Sequence, residues 1–89
     1  MPISADSFAL LEFGEQLSTD FLDYCQTGIP TRVLSAYLAA MESLSGFYRD
    51  HHGQHKARIW TRLLKAVTIL GEQSVQYSQQ IAQIAFKIW

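Results

Sequence analysis

Nine positions in the last third of the chain, Trp60, Leu63, Val67, Leu70, Ser74, Tyr77, Ile81, Ile84 and Ile88, follow one another at alternating steps of three and four residues. Eight of the nine are apolar, and only Ser74 interrupts the series. This spacing holds one stripe of a helix against a partner along its whole length. No proline falls between Trp60 and Trp89, and Glu72-Gln73-Ser74 carries no strong turn signal. The seam keeps its phase across Gly71, so the pattern predicts one continuous helix over residues 54–88. A break at Gly71 is the competing reading, and it would close four short helices into a monomer.

The remainder divides at two glycines. A first helix is expected over residues 6–27, capped by Ser4 or Asp6, because a side-chain oxygen there can accept from free backbone amides. Its stripe reads Leu10, Leu17, Phe21 and Tyr24, flanked by Leu11, Phe13, Leu22 and Cys25. Gly14 lies on that stripe, where it costs about 1 kcal/mol relative to alanine; close approach of another helix would account for it. Gly28-Ile29-Pro30 ends the helix, since proline forbids continuation and glycine accepts a left-handed cap. Thr31 is placed to cap a second helix over residues 31–52. Its apolar face is Leu34, Tyr37, Leu38, Met41, Leu44 and Tyr48, and its other faces are rich in small residues. Gly53 then separates it from the third.

At 1.5 Å per residue the first two helices are each about 33 Å long and the third about 50 Å. Two shorter helices would leave the end of the third uncovered. Exposing a large apolar side chain costs about 1.5–3 kcal/mol. The expected fold is therefore all-α, a helical hairpin packed on a long C-terminal helix, with two chains forming a dimeric helical bundle. Tyr77, Ile81, Ile84, Phe86, Ile88 and Trp89 are the expected partner-binding surface. An 89-residue chain is one domain by length, with a thin core that association commonly enlarges.

Charge is sorted along the sequence. The first 31 residues hold five acids and neither lysine nor arginine, whereas residues 49–65 hold five of the seven basic side chains. On a helix His55, Arg58, Arg62 and Lys65 share a face. This ridge reads first as a solvated face partly neutralised by the acidic first helix, with an acidic partner or nucleic acid as the alternatives; Arg58, Arg62 and Lys65 are the candidate electrostatic contact. A net charge of −1 provides no bulk attraction to phosphate. Between Glu72 and Lys87 no residue is charged, and Gln73, Gln76, Gln79, Gln80 and Gln83 dominate. Such a face suits one that is covered part of the time.

The cluster Asp50-His51-His52-Gly53-Gln54-His55 is the one group with metal-ligand chemistry. Gly53 would break the helix that sets His51 and His55 one turn apart, so His51, His52 and His55 read first as a polar turn. No cofactor is expected. The acid pairs Glu12/Glu15 and Asp20/Asp23 read as a solvated helix face, not as an acid–base pair. Cys25 reads as a small buried apolar residue; a lone cysteine permits no internal disulfide and points to a reducing compartment. No segment approaches the roughly 20 apolar residues of a membrane span, and MPISADSF lacks the pattern of a signal peptide. The expected location is the cytoplasm.

In size and pattern the chain resembles small helical chaperones and phage or plasmid accessory proteins. The expected function is non-enzymatic: a small cytoplasmic adaptor, regulator or secretion-type chaperone that binds protein, as a homodimer or with a helical partner. A nucleic-acid-binding regulator using residues 55–65 and a histidine-cluster metal protein are the alternatives.

Overall fold

Helix α1, Ala5–Thr27, is followed by α2, Thr31–Ser43; α3, Ser45–Asp50; α4, Gln54–Leu70; and α5, Val75–Ile88. This computed structural model describes residues 5–28, 31–71 and 73–89, with no strand among them. The roles expected of Ser4, Ile29, Pro30 and the Thr31 side chain fall outside the described residues. The all-helical expectation is met, but two of the three expected helices are interrupted.

The continuous helix over residues 54–88 does not form. It stops at Leu70, and the amides of Gln73 and Ser74 both donate to the Leu70 carbonyl, at 2.9 and 2.8 Å. Ser74 is extended (φ −153°, ψ 103°), and its hydroxyl accepts from the Tyr77 amide at 3.3 Å, making it the N-cap of α5. The single polar member of the seam is thus where the chain reverses. The energetics favour this turn. A straight rod would leave Ile81, Ile84 and Ile88 in water, at about 5–9 kcal/mol for the three. The reversal gives up only a few helix hydrogen bonds, each worth a net ~1 kcal/mol. In the folded-back form those three side chains are at most 3% exposed. The overhang that implied a dimer through them is therefore absent.

The expected 31–52 helix is also divided, though more gently. Leu44 leaves helical geometry (φ −97°, ψ 0°), yet its amide still donates to Ala40 and its carbonyl still accepts from the Tyr48 amide. On either side Ser43 Oγ donates to the Ala39 carbonyl and Ser45 Oγ to the Glu42 carbonyl. Serine hydroxyls that bond back to the preceding turn bend helices, so α2 and α3 form one kinked arm.

Four arms result. Phe8 meets His55, and Ser18 meets Arg62, so α1 and α4 run the same way. Trp60 stacks on Trp89, and Gly71 lies near Ser78, so α5 returns antiparallel along α4. Ser35 bonds to Tyr77 and Glu42 to Lys87, which places α2 parallel to α5. The bundle measures 43 × 20 × 18 Å.

Each arm contributes to one core, including Phe21, Met41, Tyr48, Ile59, Leu63 and Ile81, all at most 1% exposed. The α2–α3 face follows the expected stripe, with Leu34, Leu38, Met41 and Tyr48 buried. On α1 the stripe is rotated from the expected one: Leu11, Gly14, Leu17, Ser18, Phe21 and Cys25 face inward, while Leu10 and Phe13 are exposed. Gly14 and Ser18 disguise that inner face because neither looks apolar. The Tyr48 ring lies against Gly14 so closely that a Cβ there would sit 2.5 Å from Cζ. The space at Gly14 is thus filled by a ring from α3 and not by the close approach of a second helix backbone. Cys25 is buried, and burial pushes its thiol up to about 11.

Candidate functional site

Two surface features remain once the core is closed: a charged cluster between α1 and α4, and an apolar groove between α4 and α5. The cluster centres on Glu15, one of the five acids of α1. Its carboxylate accepts from Arg58 through both Nε and Nη2 and also meets His55 Nδ1. Arg62 Nη1 donates to the Glu15 carbonyl at 3.1 Å and to Ser18 Oγ at 3.2 Å. The Arg58 hydrogen bond, aided by His55, holds the Glu15 carboxyl down at about 2 despite partial burial. The same bond raises Arg58 above its ordinary value. Phe8 covers His55 edge-on at 6.0 Å.

This arrangement has a direct consequence for the basic ridge. Arg58 and Arg62 fasten α4 to α1 across the surface by donating to Glu15 and Ser18, more than forty residues away in sequence. Lys65, the third candidate, stays exposed. The ridge is thus mainly an internal clamp.

The histidines diverge. His51 Nδ1 donates to the Phe47 carbonyl at 2.7 Å, and its ring lies 4.0 Å from that of Phe47. His52 Nδ1 accepts from Lys56 Nζ at 3.2 Å. His55 is held by Glu15. Gly53, at φ 144°, takes a backbone conformation that side chains rarely adopt and turns the chain between His52 and His55. Among the described residues no group of three histidine, cysteine or acidic side chains converges on a point that could hold a metal ion.

Lys56 is a buried, multiply bonded position that the sequence does not single out. It is only 3% exposed and donates to the backbone oxygens of Arg49 and Trp89, at 3.1 and 3.4 Å, as well as to His52. Its ammonium lies 5.2 Å from the Trp89 ring. The signal was present, since Lys56 stands one turn before Trp60 in the phase of the seam. A long side chain can bury its stem there while the ammonium finds acceptors.

The groove is lined by Trp60, Leu64, Ala82, Ala85, Phe86 and Trp89 and encloses about 360 Å³. Trp60 and Trp89 pack with ring centroids 4.8 Å apart. Phe86 is 87% exposed, Trp89 65% and Leu64 39%. Of the six expected partner-binding residues, then, Phe86 and Trp89 stand on the surface. Ile81, Ile84 and Ile88 belong to the protomer's own core. Tyr77 is half-buried and hydrogen-bonds Ser35 at 3.3 Å. The α4 contribution, Trp60 and Leu64, was not expected, because it exists only once α5 has folded back. The glutamines at 73, 76, 79, 80 and 83 are all exposed. No helix among the described residues is long and apolar enough to cross a membrane.

No family model matches this sequence, and neither a curated protein nor a solved structure matches it significantly.

Proposed function

We propose that this chain is a non-enzymatic protein–protein interaction module, a small cytoplasmic adaptor, regulator or secretion-type chaperone, acting through the groove between α4 and α5. The observation that carries the reading is the exposure of Phe86 and Trp89 beside Leu64, while Ile81, Ile84, Ala85 and Ile88 of α5 are buried. Large side chains of this kind each lose about 1.5–3 kcal/mol by remaining in water. Contiguous apolar patches rimmed by polar residues mark contact sites, and aromatic anchors dominate contact energetics. The uncharged glutamine face of α5 extends the same surface without a desolvation penalty for ions. The engagement of Arg58 and Arg62 by Glu15 and Ser18 argues against a nucleic-acid reading, since phosphate recognition needs those donors free.

The test is photo-crosslinking in cells. A photoreactive phenylalanine analogue at position 86 should form an adduct, and the same group at exposed Gln26 should not. Equal labelling from both positions, or none from position 86, would overturn the reading.

A further inference from the structure

The outer face of α5 carries a second stripe, distinct from the buried one. Val75, Gln79, Ala82, Phe86 and Trp89 follow at steps of four, three, four and three residues. That is the spacing of a coiled-coil seam. Val75 and Trp89 are each 65% exposed and Phe86 is 87% exposed. Ala82, the smallest member, lies in the middle and lines the groove. A helix can approach closest where the side chains at the crossing are smallest.

We infer that this stripe pairs with its own copy in a second chain, α5 against α5 antiparallel, about a two-fold axis at Ala82. The argument rests on the interaction reading above and deepens it by naming the occupant.

Three observations favour a second copy over a different protein. The first is register. Val75 precedes Ala82 by seven residues and Trp89 follows it by seven, so a two-fold there sets Trp89 of each chain on Val75 of the other. Phe86, four residues past the axis, then comes level with Ser78 of the second copy, next to Gln79. A two-fold contact requires this reciprocity, and large faces small at both ends.

The second is charge. A charged group near a two-fold axis meets its own like charge. From Val75 to Phe86 no residue is charged, and Lys87 turns away to pair with Glu42 of α2 at 2.7 Å. Glutamine amides both donate and accept, so the exposed glutamines beside the stripe carry no like-charge conflict with their copies. A heteromeric contact would be free to use opposite charges for specificity, and this stripe has none.

The third is area. An aromatic side chain presents about 150–250 Å², so Phe86 and Trp89 at their exposures offer about 300 Å². A stable contact covers about 800 Å² per partner. Reciprocity doubles the aromatic contribution, with Phe86 and Trp89 on either side of the axis at Ala82 and with Val75, Leu64 and the glutamines completing the surface.

The experiment is the molar mass of the full chain by sedimentation equilibrium from micromolar to several hundred micromolar. The expected result is a concentration-dependent rise from 10.1 kDa to about twice that value. Ala82→Glu and Ala82→Lys should each weaken association by at least ~100-fold through like charges at the axis. Mixing the two variants should restore a dimer, which a partner of any other kind would not do. Should either variant lose its helical circular dichroism, Phe86→Asp replaces it, because that side chain is 87% exposed and lies outside the core.

A native chain that stays at 10.1 kDa throughout would overturn the inference, as would charge variants that dimerise like the native chain. A monomeric native chain that still crosslinks another protein from position 86 would sink self-pairing alone. Absence of both adduct and dimer would sink the interaction reading with it.

Discussion

Gly14→Ala tests the packing argument at its tightest point. In most exposed helix interiors this change stabilises by about 1 kcal/mol, because alanine is the better helix former. Here the new Cβ would stand 2.5 Å from Tyr48 Cζ, 2.5 Å from its hydroxyl oxygen and 2.7 Å from Cε1. Carbon atoms in contact prefer about 3.5–4.0 Å, so the ring must retreat by roughly 1 Å. It has little room, being 0% exposed with Phe47 packed at 5.7 Å. Overpacking a tight core costs about 1–3 kcal/mol and sometimes more, and three overlapping atoms place this case at the upper end. After subtracting the helix gain, the net loss is about 2 kcal/mol. For a domain of this size that lowers Tm by about 8–16 °C.

Thermal unfolding followed at 222 nm measures it. The companion variant is Tyr48→Leu, which removes the obstructing atoms. In that background Gly14→Ala should change sign and stabilise by about 1 kcal/mol, a coupling that a double-mutant cycle isolates. If Gly14→Ala alone leaves Tm unchanged or raises it, the contact between α1 and α3 is not as described.

Three further outcomes follow from single sites. The Tyr48 hydroxyl is buried with no hydrogen-bond partner among the described residues, so Tyr48→Phe should raise stability by about 1 kcal/mol, read as a higher urea midpoint at unchanged slope. Glu15 has its folded carboxyl held at about 2 against an ordinary 4.5. A depressed carboxyl stabilises the fold above its unfolded pKa and loses that contribution as pH falls toward the folded one. Native stability should thus decline by about 2 kcal/mol between pH 5 and pH 2, discounted for partial exposure. Glu15→Gln should flatten that part of the profile in urea titrations; an unchanged slope would refute the clamp. Ser74→Ala removes the α5 N-cap and should cost about 1 kcal/mol, seen as a lower Tm with native helix content.

The limits of sequence reading are instructive at Ser74. Periodicity reports which side of a helix is apolar, and it did so correctly: every member of the seam is buried or half-buried. It carries no information on whether two phased stripes lie end to end or face each other. The one polar residue in the series was noted as an interruption, and it is the cap at which the chain turns. The same limitation hid the groove, since Leu64 and Phe86 become neighbours only across the turn.

The charge pattern was legible as a sorting of acids and bases, and partial neutralisation of the ridge by α1 with it, but the individual pairs were not. Opposite charges attract at any separation in sequence, and which ones meet depends on the packing of α1 against α4. Arg58 and Arg62 therefore looked available to a partner, yet they are held by Glu15 and Ser18.

Local physics thus determined, from residue order alone, that the chain is helical, where α1 ends, which faces of α2, α4 and α5 are apolar, and that Gly14 marks a tight spot. Tertiary structure alone decided that α5 doubles back, that Tyr48 fills the space over Gly14, that Glu15 gathers the basic ridge, and that Phe86 and Trp89 are left outside. The division has one cause. Helix propensity, capping and periodicity act over a few residues, whereas the burial that selects among chain reversals depends on surfaces that exist only after the arms have met.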